Sequence, residues 1–292
     1  MFIFKAGVVG AGTMGGEIAQ VLAAADVPVV LKDVEQRFVD AGLEKARSVT
    51  RAQLDGLVSK EKLTREQADA QFDAVLGRIE GSLSYDGFGD VDFVIEAVPE
   101  RMEVKRAVFD ELDVVTPGHA ILASNTSSLS ITEMAESTSR PDQIVGFHFF
   151  YPASVMRLIE VIEGDETSPE TLQAASSFAQ RIRKMPITCA EVPGFVVNRI
   201  LNSAASEIWR VQEAEQLDPH AIDKLVAESR AAPMGPFYLA DLLGLDTVLH
   251  VAEHLQASYG DRFYVHQGMR ELVGEGHLGA KSGKGFYEHS RD

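Results

Sequence analysis

Phe4-Lys5-Ala6-Gly7-Val8-Val9 runs directly into Gly10-Ala11-Gly12-Thr13-Met14-Gly15. The first six residues read as a short buried strand. The next six match the pattern Gly-x-Gly-x-x-Gly. Met14, Ile18, Val21, Leu22 and Ala25 then recur at helical spacing. Val27-Pro28-Val29-Val30-Leu31 forms a second apolar run, ending at Asp33. A lone glycine pattern says little, but one that leaves a strand and opens a helix has a mechanism. Gly10 permits the tight turn, Gly12 lets backbone approach a pyrophosphate, and Gly15 lets helix pack closely on strand. The helix N-terminus, with Thr13 and Met14, then stabilises phosphate charge.

Asp33 follows Gly10 by 23 residues. A carboxylate at the end of a second strand binds adenosine ribose hydroxyls and repels a 2′-phosphate. NAD is therefore expected over NADP, with Arg37 close enough in sequence to weigh the other way. No metal is expected.

Beyond Asp33 the alternation continues. A polar helical stretch at about 35–74 suggests two helices. Strands are expected at 93–98, 120–123, 144–148 and 158–162, and helices at 103–115, 130–136 and 169–183. Such alternation predicts an α/β fold, a Rossmann-type doubly wound, mostly parallel sheet. Near Met185 the character changes, and beyond Pro193 no strand is evident. The domain boundary is placed near 187. Residues 1–187 form the dinucleotide-binding part and 188–292 an all-α part, with helices near 194–215, 218–230, 238–258 and 262–274. In the first of these, Val197, Leu201, Ala204, Ile208 and Val211 form an apolar stripe, widened by Val196, Ile200, Ala205 and Trp209. Such breadth fits burial within the domain or a homodimer interface.

Composition bounds the function classes. Acidic residues outnumber basic ones 44 to 27, a net charge of −17, which argues against general nucleic-acid binding. No apolar run is long enough to span a membrane. The N-terminus lacks the layout of a signal peptide. Cys189 is the only cysteine and has no internal partner, so a reducing, cytoplasmic compartment is expected. Any anionic substrate needs local basic charge. Between Glu44 and Glu66 lie Lys45, Arg47, Arg51, Lys60, Lys62 and Arg65, an excess of +2 over Glu44, Asp55, Glu61 and Glu66.

The chemistry concentrates in Ser124-Asn125-Thr126-Ser127-Ser128, His148 and Glu160. Alone, His148 reads as an ordinary core histidine and Glu160 as a strand-edge charge. Beside a dinucleotide site they read differently. A carboxylate behind a histidine fixes its tautomer and raises its basicity. A base near a nicotinamide implies alcohol oxidation, in which a proton goes to the base and a hydride to the cofactor. Ser127 and Asn198 could hold an oxygen of the reacting group. Ser127 reads equally well as a helix cap before Ile131.

The chain resembles the L-3-hydroxyacyl-CoA dehydrogenases of the short, single-function type, over nearly its whole length. The likeness rests on Gly10 to Gly15, Val94-Ile95-Glu96-Ala97-Val98, Ser124 to Leu129, Gly146-Phe147-His148-Phe149-Phe150 and Val155 to Val161. It continues in Pro193 to Arg199, Pro233 to Phe237, Gly244 to Thr247 and Gly285 to Tyr287. The resemblance implies reversible, NAD-dependent oxidation of an L-3-hydroxyacyl-CoA. His148 matches the base and Glu160 the carboxylate that orients it. Ser127 matches a serine touching the substrate oxygen, and Asn198 an asparagine that helps hold the substrate. Ala97, Glu100, Lys105, Asn125 and Lys281 fall at cofactor-binding positions, with Glu100 and Lys105 on the nicotinamide side. The resemblance also implies a homodimer through the helical domain, and an excursion at 35–74 that receives the nucleotide end of coenzyme A.

The family pattern His-Phe-Phe-Asn-Pro reads here His148-Phe149-Phe150-Tyr151-Pro152. The larger phenol bears on the fit of the acyl portion. Two other readings stay open. Relatives of this architecture oxidise free sugar acids such as L-gulonate, and others are non-catalytic NAD-binding proteins like lens crystallins.

Overall fold

The structure is a computed structural model that describes residues 2–289. It divides into two compact units, residues 1–191 and 192–292.

The first unit is built on strands β1 (Ala6–Val9), β2 (Val29–Lys32), β3 (Ile79–Ser82), β4 (Phe93–Glu96), β5 (Ile121–Ser124), β6 (Ile144–Phe149), β7 (Leu158–Glu163) and β8 (Met185–Ala190). Its helices are α1 (Thr13–Ala24), α2 (Gln36–Ser59), α3 (Arg65–Leu76), α4 (Met102–Val115), α5 (Ile131–Ala135) and α6 (Pro169–Arg181). The strands form one sheet in the order β3-β2-β1-β4-β5-β6-β7-β8. From β3 to β6 all pairs are parallel. β6 and β7 are antiparallel, and β7 and β8 parallel. The expected doubly wound, mostly parallel sheet is present. Strand order reverses between β1 and β4, where sheets of this type form a ligand crevice at their strand carboxyl ends.

The strands at the centre are buried on both faces, which is why they read as apolar runs rather than alternations. Ile18, Leu22, Phe93, Phe147, Val161 and Phe178 belong to their core. The excursion holds two helices. Thr64 separates them by capping α3: its side chain accepts from the Gln67 amide while Gln67 answers the Thr64 amide.

Two strands lie where none was expected. β3 is a half-exposed edge containing Glu80, Gly81 and Ser82, with no apolar run to mark it. β8 holds Pro186 and is largely solvent-accessible, which suits the opposite edge. The boundary placed at 187 falls inside β8, and the compact unit runs on through Glu191.

The second unit comprises α7 (Val197–Glu215), α8 (Pro219–Ser229), α9 (Pro236–Leu243), α10 (Leu245–Tyr259) and α11 (Gln267–Gly274). The expected single helix at 238–258 is two. Gly244, at φ 93°, ends α9 and starts α10, a backbone conformation open chiefly to glycine. Trp209, Phe237, Leu245, Leu249, Val265 and Met269 form this unit's core. Buried Asp241 accepts the amides of Phe286 and Tyr287 and pairs with His289, holding the C-terminal segment against α9. On α7, only Asn202, Ser206 and Trp209 are buried. Of the expected stripe, Ile200, Leu201 and Val211 stay exposed.

Candidate active site

The dinucleotide loop shows why its glycines differ. Gly10 sits at φ 98°, and a Cβ there would meet the Ala97 carbonyl at 2.5 Å. A Cβ on Gly15 would lie 1.7 Å from the Gly10 carbonyl oxygen. Both are demanded by the fold. Gly12 is not: its φ is −67°, and a Cβ would meet nothing within 4 Å. The protein leaves open space at this one loop position, as backbone approach by a ligand requires. Thr13 and Met14 begin α1, with Met14 packed on the core.

Asp33 ends β2. One carboxylate oxygen accepts from the Ala11 amide at 2.7 Å and the other from the Val34 amide at 2.6 Å. It braces the loop and keeps spare lone pairs. Arg37 is held by Glu35 through Nε at 3.0 Å. A 2′-phosphate at the end of β2 would meet the like charge of the Asp33 carboxylate. These residues fit NAD.

At the carboxyl end of β6 lies His148, which the register places directly opposite Glu160 on β7. The Nδ1 of His148 is 2.8 Å from Glu160 Oε2, and Glu160 is fully buried. The Phe150 ring packs on the imidazole with centroids 4.6 Å apart. Because β1, β4, β5 and β6 run parallel, His148 emerges on the same sheet edge as the dinucleotide loop.

The loop after β5 is tied to this end. Asn125 Oδ1 accepts from the Phe149 amide at 2.8 Å. Ser127 gives its amide and hydroxyl to Glu100, whose Oε1 also accepts from the Thr126 hydroxyl at 2.6 Å. Lys105, expected to line the nicotinamide side, is 1% exposed. Its ammonium bridges Glu96 at 2.8 Å and Glu100 at 3.1 Å. Through Glu100, Lys105 is linked to Ser127 and Thr126. Burial opposes ionisation of Glu100, but Lys105 and the hydrogen bonds from Thr126 and Ser127 outweigh it and hold its carboxyl below the usual range.

Glu96 has no role in the sequence reading of the site, and Ser124 and Thr126 enter it only as members of their stretch, without a role of their own. Ser124 Oγ donates to Glu96 at 2.6 Å, completing the buried network. The signal was present: a carboxylate inside an apolar strand needs partners. Asn198 and Lys281 belong to the second unit. The Asn198 carbonyl accepts from Asn202 Nδ2 at 2.9 Å, and Lys281 pairs with Asp246 at 2.5 Å. Four of the six basic residues in the excursion are already paired, Lys45 with Glu17, Arg47 with Glu44, Arg51 with Asp69 and Arg65 with Asp55.

A glycine loop at a parallel-sheet switch point, beside a histidine–glutamate pair, defines a nicotinamide-dependent oxidoreductase framework. Comparison with known proteins narrows the class. Residues 5–192 match the 3-hydroxyacyl-CoA dehydrogenase NAD binding domain, and residues 194–289 the 3-hydroxyacyl-CoA dehydrogenase C-terminal domain. The chain belongs to the 3-hydroxyacyl-CoA dehydrogenase family. It is 41% identical over 286 residues to a probable 3-hydroxybutyryl-CoA dehydrogenase of Deinococcus radiodurans, covering 98% of this chain and 100% of that one. The solved structure of an (S)-3-hydroxybutyryl-CoA dehydrogenase from Ralstonia eutropha superposes with a TM-score of 0.90 at 41% identity, covering 99% and 100% of the two chains. The fatty acid oxidation complex subunit alpha of a Psychrobacter species is 40% identical over 294 residues, 99% of this chain but only 39% of that longer protein. No helix among the described residues is long and apolar enough to cross a membrane.

Proposed function

We propose that the chain reversibly oxidises a short L-3-hydroxyacyl-CoA, of the 3-hydroxybutyryl type named for its relatives, with His148 as general base. The observation that carries this reading is the His148–Glu160 pair, 2.8 Å apart at the sheet edge that also bears the dinucleotide loop.

With Nδ1 committed to Glu160, His148 meets the substrate through Nε2. That nitrogen takes the proton of the 3-hydroxyl group, and the buried Glu160 carboxylate stabilises the imidazolium that results. Bound NAD supplies the acceptor for the hydride leaving C3. Gly10, Gly12 and Gly15 shape the loop for the cofactor's pyrophosphate, and Asp33 serves the adenosine ribose. Asn125 links the Ser127 loop to β6. Glu100 holds the Ser127 amide and, before substrate arrives, its hydroxyl; that hydroxyl then turns from Glu100 to donate to the substrate's oxygen, whose own proton goes to His148. We carry the homodimer in the same reading, through the uncovered apolar residues of α7. Sedimentation of wild type and Ile200→Lys tests it, with a monomeric wild type as the contrary result.

The decisive assay is NADH-dependent reduction of acetoacetyl-CoA by wild type and by His148→Gln. Loss of the base should lower turnover by at least about 100-fold. Near-normal turnover in the variant would remove His148 from the role. Turnover of free hydroxy acids in place of the thioester would reassign the substrate.

A further inference from the structure

The loop 125–130 carries Ser127 from β5 to α5, and a carboxylate holds it at each end. At its entry, Glu100 accepts from Thr126 and from Ser127. The Thr126 hydroxyl oxygen in turn accepts the amides of Ser128 and Leu129, at 3.3 and 2.9 Å. At its exit stands Glu191. One Glu191 oxygen accepts from the Ser130 hydroxyl. The other accepts from the amide and the hydroxyl of Thr132, at 2.8 and 3.0 Å.

The sheet sets where Glu191 stands. The residue directly follows β8, and its amide donates to the Glu163 carbonyl at 3.1 Å, one step beyond the β7–β8 ladder. Its partners open α5. Ser130 is the cap of that helix, accepting from the Glu133 amide at 3.0 Å, so Ser127 is not needed for the task. Glu191 takes the Thr132 amide, a first-turn donor that the helix itself leaves unpaired, and its negative charge suits a helix N-terminus. A helix of five residues has little stability of its own. The path by which the chain leaves Ser127 therefore depends on what grips this first turn.

The two carboxylates differ in what the reaction asks of them. Glu100 gives up one bond when the Ser127 hydroxyl turns to the substrate's oxygen. The groups on Glu191, from Ser130 and Thr132, have no part in that exchange. We propose that Glu191 is a positioning residue for the reaction, holding the exit of the loop so that Ser127 keeps its place as its hydroxyl changes partner. The inference rests on the dehydrogenase reading above, with Ser127 as the group that meets the substrate's oxygen. Glu191 acts through Ser127 and touches neither substrate nor cofactor.

A double-mutant cycle tests this, read as kcat/KM for acetoacetyl-CoA with NADH. Glu191→Gln removes the charge and keeps the size. In the wild-type background it should lower kcat/KM about tenfold, a modest cost for a misplaced group. In a Ser127→Ala background the further loss should stay below about twofold, because no hydroxyl remains to be misplaced. Ser130→Ala removes one arm of the grip. It should show the same dependence on Ser127, and it decides the matter alone if Glu191→Gln fails to fold. NADH affinity of Glu191→Gln, from fluorescence titration, should match wild type. An equal loss in both backgrounds, or a lower melting temperature with unchanged kcat/KM, makes Glu191 a helix cap and removes the inference alone. A Ser127→Ala enzyme with wild-type kcat/KM takes Ser127 out of the substrate site, and this inference falls with that part of the parent reading. A wild type inactive on every acyl-CoA removes the parent reading and this one with it.

Discussion

Ser127 donates its backbone amide and its hydroxyl to the same oxygen of Glu100, at 2.9 and 3.2 Å. The other Glu100 oxygen meets Lys105, which is shared with fully buried Glu96. Orientation of a candidate substrate-binding hydroxyl thus depends on a charge network that reaches into the sheet.

Lys105→Met should show how much the fold depends on that network. It leaves Glu96 and Glu100 facing each other without their cation. Breaking a buried pair from one side typically costs about 3–5 kcal/mol. Urea unfolding of the variant should record a loss on this scale. An unchanged midpoint would mean that the carboxylates have other support.

Glu100→Gln should be milder and should reach catalysis. Glutamine still accepts from Ser127 but turns an amide group toward Lys105. A loss of about 1–3 kcal/mol is expected in stability. KM for the acyl substrate should rise, because Ser127 is less firmly oriented. If both quantities stay at wild-type values, Glu100 has no part in positioning Ser127.

The glycines of the dinucleotide loop should separate cleanly. Gly12→Ala meets nothing in the protein and needs no unusual φ, so thermal stability should hold or rise by about 0.4–1 kcal/mol. NADH affinity should fall at least about tenfold, since the methyl group occupies the ligand's approach. Gly15→Ala puts a methyl into the Gly10 carbonyl and should cost soluble yield instead. Full NADH affinity in Gly12→Ala would mean the pyrophosphate lies elsewhere.

Acid should weaken the second unit through His266. Burial holds this imidazole below its ordinary value of 6.5, against the opposing pull of Glu213. Its Nδ1 accepts from the Met269 amide at 2.9 Å, capping α11, and Nε2 lies 2.7 Å from Gln212 Oε1. Protonation destroys the cap. Because the folded-state pKa is depressed, the unfolded chain binds more protons as pH falls below about 6.5, and stability drops there. Thermal unfolding of wild type should decline from pH 7 to about pH 5. His266→Asn, which keeps a capping oxygen, should flatten that slope. Parallel slopes for the two proteins would clear His266 of the effect.

Much of this was legible from local pattern. The glycine loop, Asp33 and the apolar central strands carry strong short-range signals, because strands buried on both faces leave little choice of residue. His148 and Glu160 were legible as a base and its orienting carboxylate from their chemistry and the family resemblance, and the antiparallel register shows how the two strands bring them into contact. β3 and β8 escaped notice because edge strands need one covered face and have no apolar run. Glu17, Glu96 and Lys184 gave no sign of their partners, for a different reason. Each binds atoms far away in sequence, such as Ser154, Ser124 and Ala153, and no local periodicity encodes such partners. Lys105 was placed by resemblance at the cofactor. In the structure its ammonium is buried and shared between Glu96 and Glu100, partners that the resemblance did not give.

The reversal of direction at β7 has a last consequence. Because β6 and β7 run antiparallel, His148 and Glu160 stand as cross-strand neighbours, their Cα positions set by main-chain ladder bonds. Backbone spacing is indifferent to which apolar side chains fill the layers above and below. The pairing of the two positions is thereby set by the main chain and not by the packing around them. Volume-conserving exchanges in those layers should leave the 2.8 Å contact between His148 Nδ1 and Glu160 Oε2 in place.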